Sequence, residues 1–189
     1  MRCFLALPLR PPALAVAQRA LERLRAEVDA VRWARPETLH ITLHFFGVID
    51  DSALARALTA TRPALESARA FDISVDELGA FPERGTPRVL WLGSSADNTL
   101  LLALAADIRS RLRGAGFAVE ERPFRTHATL GRPRDPWPPE ARVAWDAVQT
   151  QGVKRSEFLA DRAVLYESVT GPGPAQYVER AVLPLGGAS

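Results

Sequence analysis

The sequence predicts a single domain of mixed strands and helices, built from two similar lobes. Hydrophobic side chains make up 47% of the 189 residues and charged ones 24%, which suits a folded domain of this size. A nine-residue motif occurs twice, with an offset of 87 residues shown by His40 and His127, so the two lobes are expected to be related copies. Strands and helices alternate, but no glycine-rich loop joins a strand to a helix. That absence disfavours the Rossmann and P-loop folds.

The first part of the chain predicts two strands and two helices. Residues 2–9 form an apolar strand, and Pro11 and Pro12 begin a helix whose apolar residues recur in steps of three and four. These apolar residues are Leu14, Ala17, Leu21, Leu24, Val28 and Val31. A second strand spans 39–46 and is closed by Gly47, and a second helix extends from an N-cap at Asp51 to about Ala68.

The remainder predicts a similar alternation. Two strands, about 71–78 and 88–93, flank a loop that contains Pro82, Gly85 and Pro87, and a third helix spans 97–113. A strand near 124–131 leads into residues 132–140, whose four prolines argue against a helix or a central strand. The expected final elements are a short helix at 140–149 and two strands, 158–168 and 176–183, joined by a turn at Gly171–Pro174.

Charge and cysteine content narrow the class of protein. The net charge of +2 does not by itself indicate a nucleic-acid-binding protein. The basic residues are almost all arginines, 23 of them beside the single lysine Lys154, and the planar guanidinium group of arginine suits phosphate oxygens. Cys3 is the only cysteine, so the chain can form no disulfide within itself. Residues 1–9 lack a signal-peptide pattern, and no apolar run approaches the roughly 18 residues of a membrane span. We therefore expect a cytoplasmic protein.

The repeated motif carries two of the three histidines. Residues 35–43 read RPETLHITL and residues 122–130 read RPFRTHATL, with five of nine positions identical. Because residues i and i+2 of a strand share a face, His40 lies beside Thr42, and His127 beside Thr129. Ile41, Leu43 and Phe45 are expected on the buried face of the first strand, and Ala128 and Leu130 on that of the second. Two such faces turned toward each other would line one cleft with two His–Thr pairs.

Two imidazoles and two hydroxyls suit the hydrolysis of a cyclic phosphodiester. The reaction needs a base to activate water and an acid to protonate the leaving oxygen, and imidazole can serve as either near neutral pH. Threonine hydroxyls can stabilise charge on the non-bridging oxygens. No set of three or four clustered metal ligands stands out in the sequence, and His40 and His44 are too far apart on a strand to share an ion. We expect neither a metal nor another cofactor.

The chain resembles the 2′-5′ RNA ligase and RNA 2′,3′-cyclic phosphodiesterase family of 2H phosphoesterases over nearly its whole length. The resemblance is carried by MRCFLALPL, RPETLHITLHFFG, LGAF, PRVLWLG, PFRTHATLGR and LYESVTGPGPAQYVERAVLPL. It implies an α+β fold in which residues 1–189 form one bilobal domain, each lobe with a mainly antiparallel sheet, helices packed on its outer face and one motif (40–43 or 127–130). It also implies that His40 donates a proton, that His127 accepts one, and that Thr42, Thr129 and Arg132 bind substrate.

The resemblance implies an RNA substrate with a 2′,3′-cyclic phosphate end, tRNA fragments among them, opened to a 2′-phosphate, with weak reverse 2′-5′ ligation at the same site. Membranes and obligate protein partners are not expected. Two alternatives stay open: a phosphodiesterase of small cyclic nucleotides or ADP-ribose cyclic phosphate, and a non-catalytic protein that binds RNA ends.

Further residues near the motifs have two interpretations each. By strand parity His44 would share the face of His40, as a substrate contact or as a structural residue. Four arginines between Arg122 and Arg134, Arg125 among them, form either a solvated loop or an RNA-binding patch. Arg132 has the opposite parity to His127, so only a bulge or strand end near Gly131 would turn it inward. The nearby aromatic residues either stack on a base or pack in the core: Trp33, Phe46, Phe124 and Trp137.

Overall fold

Strands and helices alternate along the computed structural model, which describes residues 1–169 and 176–186. The strands are β1 Arg2–Pro8, β2 Val31–Trp33, β3 His40–Val48, β4 Phe71–Val75, β5 Glu77–Phe81, β6 Val89–Gly93, β7 His127–Pro133, β8 Ser156–Ala160, β9 Arg162–Val169 and β10 Gln176–Pro184. The helices are α1 Ala13–Glu27, α2 Asp51–Ser67, α3 Thr99–Gly114 and α4 Pro139–Gln151, with a 3-10 turn at Pro36–Thr38.

Eight of the strands form one antiparallel sheet in the order β10-β9-β1-β3-β7-β6-β5, with β2 paired to β7, while β4 and β8 pair separately. The sheet has two halves, which meet where β3 and β7 pair through Ile41 and Ala128. The first half-sheet (β10, β9, β1 and β3) carries the first motif, and the second half-sheet (β7, β6, β5 and β2) carries the second. These features confirm the expected α+β class with antiparallel sheets.

Helix α1 buries part of the apolar stripe that the sequence predicts, but it ends before Val28, and Val31 belongs to β2. In α1 the buried side chains recur at helical spacing: Ala13, Val16, Ala17, Ala20, Leu21 and Leu24. Helix α1 packs near β8 and α4, whereas α2 packs against α3 and lies near β10. Apolar side chains of this kind cover one face of the sheet. Successive motif residues along β3 and β7 therefore point in turn toward this core and toward the accessible face.

Several element boundaries differ from the expectations. The cap of α2 is Asp50, whose carboxylate accepts from the backbone N–H of Ala53 at 2.7 Å, and not Asp51. The expected strand 71–78 is divided at Asp76, where the chain leaves β8 and begins to pair with β6. The expected strand 158–168 is divided at Asp161 in the same way.

Two segments expected to be irregular are strands instead. Part of the expected loop before Val89 belongs to β5, where Gly79 leaves room for the indole of Trp91 on the neighbouring strand. Strand β7 continues through Arg132 to Pro133, because the short strand β2, which the sequence analysis missed, pairs with its last three residues. The expected turn at Gly171–Pro174 lies outside the described residues.

Candidate functional site

The two motifs lie side by side on adjacent antiparallel strands. Since Ile41 faces Ala128 across the β3–β7 pair, His40 is aligned with Thr129, and Thr42 with His127. Cross-strand neighbours of this kind stand about 5 Å apart at Cβ, so four functional side chains occupy one patch around a local twofold axis. All four are partly exposed, whereas Ile41, Leu43, Ala128 and Leu130 are buried. The surface that carries the four residues is called the motif face below.

The imidazoles of His40 and His127, the two candidate catalytic groups, are oriented by equivalent backbone contacts. Nδ1 of His40 donates to the carbonyl oxygen of Thr38 at 2.7 Å, and Nδ1 of His127 donates to that of Arg125 at 2.8 Å. A carbonyl oxygen can only accept, so these bonds fix the hydrogen on Nδ1 in the neutral rings and leave Nε2 free to accept a proton. Thr38 and Arg125 are themselves 87 residues apart, so the repeat includes this contact.

A β-bulge follows each motif at the equivalent position. In the β1–β3 pair Ala6 is opposite Thr42 and Leu5 opposite His44, which leaves Leu43 as the extra residue. In the β6–β7 pair Trp91 is opposite Thr129 and Leu90 opposite Gly131, which leaves Leu130 as the extra residue. A bulge reverses the alternation of side chains, so the residues directly after it face opposite to their simple parity.

The first bulge overturns two expectations from parity. His44 does not share the face of His40: it is only 8% exposed, its ring meets that of Phe46 edge to face, and its Nε2 has no hydrogen-bond partner among the described residues. Burial, with a smaller contribution from the charge of Arg109, lowers the pKa of His44 to about 4. Phe45, expected in the core, is instead 49% exposed beneath the guanidinium of Arg2.

The second bulge turns Arg132 toward the motif face. This is the bulge near Gly131 without which Arg132 could not contact a substrate there. Arg132 is exposed on the same strand as His127, and its positive charge adds to burial in lowering the pKa of His127. Burial raises the pKa of Tyr177, and the charge of Arg132 opposes that rise. Gly131 faces the other way, where a Cβ atom would collide with the side chains of Val31 and Trp33 at 2.7 and 2.6 Å. The glycine thus allows β2 to pair closely with β7.

His40 lies among aromatic rings. Its imidazole stacks on Phe4 with centroids 4.7 Å apart, and Tyr177 meets it edge to face at 5.4 Å. The ring of Tyr166 stacks on Phe4 at 5.3 Å and lies 6.1 Å from the ring of His40. Burial lowers the pKa of His40, and a positive charge on His127 lowers it further, whereas the hydrogen bond to Thr38 raises it. An anion nearby would favour the protonated form of His40.

His127 lies between aromatic rings and cations. Phe81 meets its ring edge to face at 5.0 Å, and the indole of Trp91 lies 6.4 Å away. Burial lowers the pKa of His127, the hydrogen bond to Arg125 raises it, and the charges of Arg132 and Arg125 lower it. Two cations beside this imidazole favour its neutral form, which is the form a general base needs.

Trp91 forms the floor under His127. Its ring lies over Gly79 and Gly93, at each of which a Cβ atom would overlap the indole. The guanidinium of Arg125 lies above the ring at 5.1 Å and forms an ion pair with Glu77 at 3.0 Å. Arg125, a candidate substrate contact, therefore already has two partners in the free protein.

The aromatic candidates named from the sequence pack within the protein. Trp137 is buried and its Nε1–H donates to the carbonyl oxygen of Asp29 at 3.1 Å. Phe46 contacts Phe117 edge to face, and Trp33 and Phe124 pack against the core while partly buried. The rings that do border the histidines were not singled out from the sequence: Phe4, Phe81, Trp91, Tyr166 and Tyr177.

Neither a metal-binding cluster nor a membrane-spanning helix occurs in the part of the chain that the structure describes. No group of three or more His, Cys, Asp or Glu side chains in residues 1–169 and 176–186 is arranged to hold a metal ion. No helix within those residues has the length and apolar character needed to cross a membrane.

Comparison with known proteins gives a consistent family. Residues 11–172 match the family model described as the 2′-5′ RNA ligase superfamily. A Geobacillus stearothermophilus protein named RNA 2′,3′-cyclic phosphodiesterase is 28% identical over 98% of this chain and 57% of its own length. A Thermotoga maritima protein of the same name is 28% identical over 92% of this chain and 90% of its own. The chain thus spans little more than half of some curated relatives and nearly all of others.

Solved structures share the fold over the full length. A Thermus thermophilus protein superimposes with a TM-score of 0.79 at 24% identity and covers 100% of both chains. E. coli LigT in complex with 3′-AMP superimposes with a TM-score of 0.76 at 21% identity and covers 97% of both chains. The arrangement of two half-sheets is therefore the fold of these proteins.

Proposed function

Because the chain belongs to the 2′-5′ RNA ligase superfamily, we propose that it hydrolyses RNA 2′,3′-cyclic phosphate ends to 2′-phosphates by two-histidine acid–base catalysis. The observation that carries this proposal is the pairing of the two motifs across Ile41 and Ala128, with each Nδ1 bound to a carbonyl oxygen. Both imidazoles then present Nε2 to one patch, together with two hydroxyls. That set supplies a base, an acid and donors for the phosphate oxygens.

The proposed reaction needs one proton in and one proton out. Nε2 of neutral His127 takes a proton from water, whose oxygen forms a new bond to phosphorus. The bond between phosphorus and O3′ breaks, and Nε2–H of protonated His40 donates its proton to that oxygen. The products are a 3′-hydroxyl and a 2′-phosphomonoester. The hydroxyls of Thr42 and Thr129 and the guanidinium of Arg132 bind the non-bridging oxygens as negative charge develops there.

The charges around the two rings support this division of roles. Arg132 and Arg125 favour a neutral His127, whereas the rings around His40 carry no cation that would oppose its protonation. The bound cyclic phosphate is an anion, and an anion beside an imidazole raises its pKa. Substrate binding is therefore what would charge His40, while the two arginines keep His127 available as the base.

The decisive experiment is turnover in the presence of a chelator. Purified protein in excess EDTA is given a 2′,3′-cyclic mononucleotide and, separately, a short RNA that ends in a 2′,3′-cyclic phosphate, and the phosphate product is identified by ³¹P NMR. We expect full activity on the RNA and a 2′-phosphate product. Loss of activity in EDTA with recovery on added zinc or manganese would contradict the metal-independent mechanism.

The same experiment separates the alternatives. Preference for the mononucleotide would indicate a phosphodiesterase of small cyclic nucleotides, and binding of the RNA without turnover would indicate an end-binding protein. Incubation of the cyclic-ended RNA with an RNA bearing a free 5′-hydroxyl, which would displace O3′ from the cyclic phosphate, tests for the weak 2′-5′ ligation. Use of tRNA fragments as substrate and a cytoplasmic location, which the single buried Cys3 fits, belong to the same proposal.

A further inference from the structure

Two arginines face each other across the edge of the motif face. In the β2–β7 pair Arg32 is directly opposite Arg132, and both are exposed. Directly opposed residues of an antiparallel pair project from the same face of the sheet. The neighbours in β2 confirm this orientation, because Val31 and Trp33 pack on the other face against the core, above Gly131. Arg32 therefore lies beside Arg132 on the side that carries the histidines.

This arrangement costs stability in the free protein. Like charges directly opposite each other on neighbouring strands repel. Over residues 1–169 and 176–186, neither guanidinium forms an ion pair with a carboxylate, although nine ion pairs join other side chains there. Two unneutralised cations at cross-strand distance are an arrangement that anions would stabilise.

In the proposed mechanism, one of the two arginines, Arg132, binds the reacting phosphate. After the bulge in β7, Arg132 is on the motif face, and its charge acts on His127 and on Tyr177, whose ring meets that of His40. Arg32 lies one strand further out and has no contact with either histidine among the contacts described above. A second phosphate next to the first along a nucleic acid strand would meet it.

We propose that Arg32 binds the phosphodiester that precedes the cyclic end, so that the protein recognises two successive phosphates of an RNA strand. This assignment rests on the proposed hydrolysis of cyclic RNA ends. It adds that the protein prefers an RNA chain to a mononucleotide as its substrate. The guanidinium fork suits a phosphodiester, which offers two non-bridging oxygens. A 2′,3′-cyclic mononucleotide lacks that second phosphate and cannot use Arg32.

The test is to compare Arg32→Gln with wild type on two substrates. One is a 2′,3′-cyclic mononucleotide and the other a trinucleotide that ends in a 2′,3′-cyclic phosphate. We expect kcat/KM on the trinucleotide to fall about tenfold and kcat/KM on the mononucleotide to stay unchanged. Arg69→Gln, an exposed arginine after α2, is the matched control and should change neither value. Equal losses on both substrates, or no loss on either, would overturn the assignment.

Two further measurements do not depend on turnover. The affinity for the trinucleotide, measured by fluorescence anisotropy, should fall in Arg32→Gln, and the slope of log affinity against log salt should decrease by about 0.7. The melting temperature of the free variant should exceed that of wild type at low salt and converge with it at high salt, because salt screens the repulsion. A wild type that binds the trinucleotide but hydrolyses neither substrate would refute the proposed function and leave the binding comparison to decide the role of Arg32.

Discussion

The two halves of the sheet repeat a scaffold but not its surroundings. Both strands place a histidine and a threonine on one face, both bind the histidine Nδ1 to the carbonyl oxygen two residues earlier, and both carry a bulge directly after the threonine. Around His40 the neighbours are Phe4, Tyr166 and Tyr177, whereas around His127 two arginines join the aromatic rings. The comparison teaches that the backbone fixes where each imidazole points and that burial lowers the pKa of both, while the neighbouring arginines lower that of His127 further.

The largest expected effect comes from removing either imidazole. His40→Ala and His127→Ala should each lower kcat/KM on cyclic-ended RNA by about 10²–10⁴-fold, because each removes one proton transfer of the same transition state. The double variant should lose less than the product of the two. Both variants should keep the wild-type melting profile, since these side chains are only partly buried. Near-normal turnover by either would contradict the proposed mechanism.

The assignment of acid and base has a sharper test. A nitrophenyl phosphodiester has a leaving group that needs no protonation, so it should restore part of the activity of His40→Ala and none of that of His127→Ala. Restoration of the His127 variant instead would exchange the two roles, and the difference in surroundings described above would then have the opposite meaning.

Removing the cation beside His127 should give the next largest effect. In Arg132→Gln we expect kcat/KM to fall about 10- to 100-fold, the value of a charged hydrogen bond to phosphate. For wild type the plot of kcat/KM against pH should peak below pH 6.5, since burial lowers the pKa of both imidazoles in the free protein. Arg132 lowers the pKa of His127, so its loss should move the acidic limb to higher pH. An unmoved limb would show that Arg132 does not tune His127.

The third histidine should affect stability and leave turnover unchanged. His44 is buried, with a pKa of about 4 in the folded protein against about 6.5 in the unfolded chain. A lowered folded pKa means that stability is full above pH 6.5 and falls as pH drops toward 4, because protons bind the unfolded chain first. Between pH 6.5 and 5 the free energy of unfolding should fall by about 2 kcal/mol at most because of His44.

His44→Leu should remove that component. Urea unfolding of both proteins at pH 8, 6.5 and 5 measures it, with the pH 8 difference as the baseline and the two other histidines common to both. A variant that loses stability between pH 6.5 and 5 as steeply as wild type would show that His44 is not the buried neutral group described here. The same variant serves as the histidine control for the alanine substitutions.

Much of the site follows from the sequence because the motif is local. Nine residues define a strand, its two faces and the partner motif, so the pairing of His40 with Thr42 and of His127 with Thr129 needs only strand periodicity. Strand parity predicted the wrong face for His44 and Phe45. The reason is that a bulge depends on the register with β1, and register is a property of two strands. The same limit hid Arg32, whose position beside Arg132 exists only through the β2–β7 pair.

The aromatic neighbours were hidden for a related reason. Tyr166 and Tyr177 belong to β9 and β10, which reach His40 only through β1, and Trp91 reaches His127 from β6. No spacing within one segment relates these residues to a histidine more than 30 positions away. The helices were easier to predict, since their caps and apolar stripes are local. The largest error is at the end of α1, where Val31 was expected on the helical stripe but belongs to β2.

The matched bulges have a consequence for how such a site can have arisen. Phe45 and Arg132 are 87 residues apart and follow their bulges at the same step, so they are the same position in two copies of one strand. An ancestral homodimer of a single half would carry either two phenylalanines or two arginines there, because both subunits would be read from one gene. Only after the half is duplicated can one copy keep a ring while the other acquires a cation, and with it a base distinct from an acid.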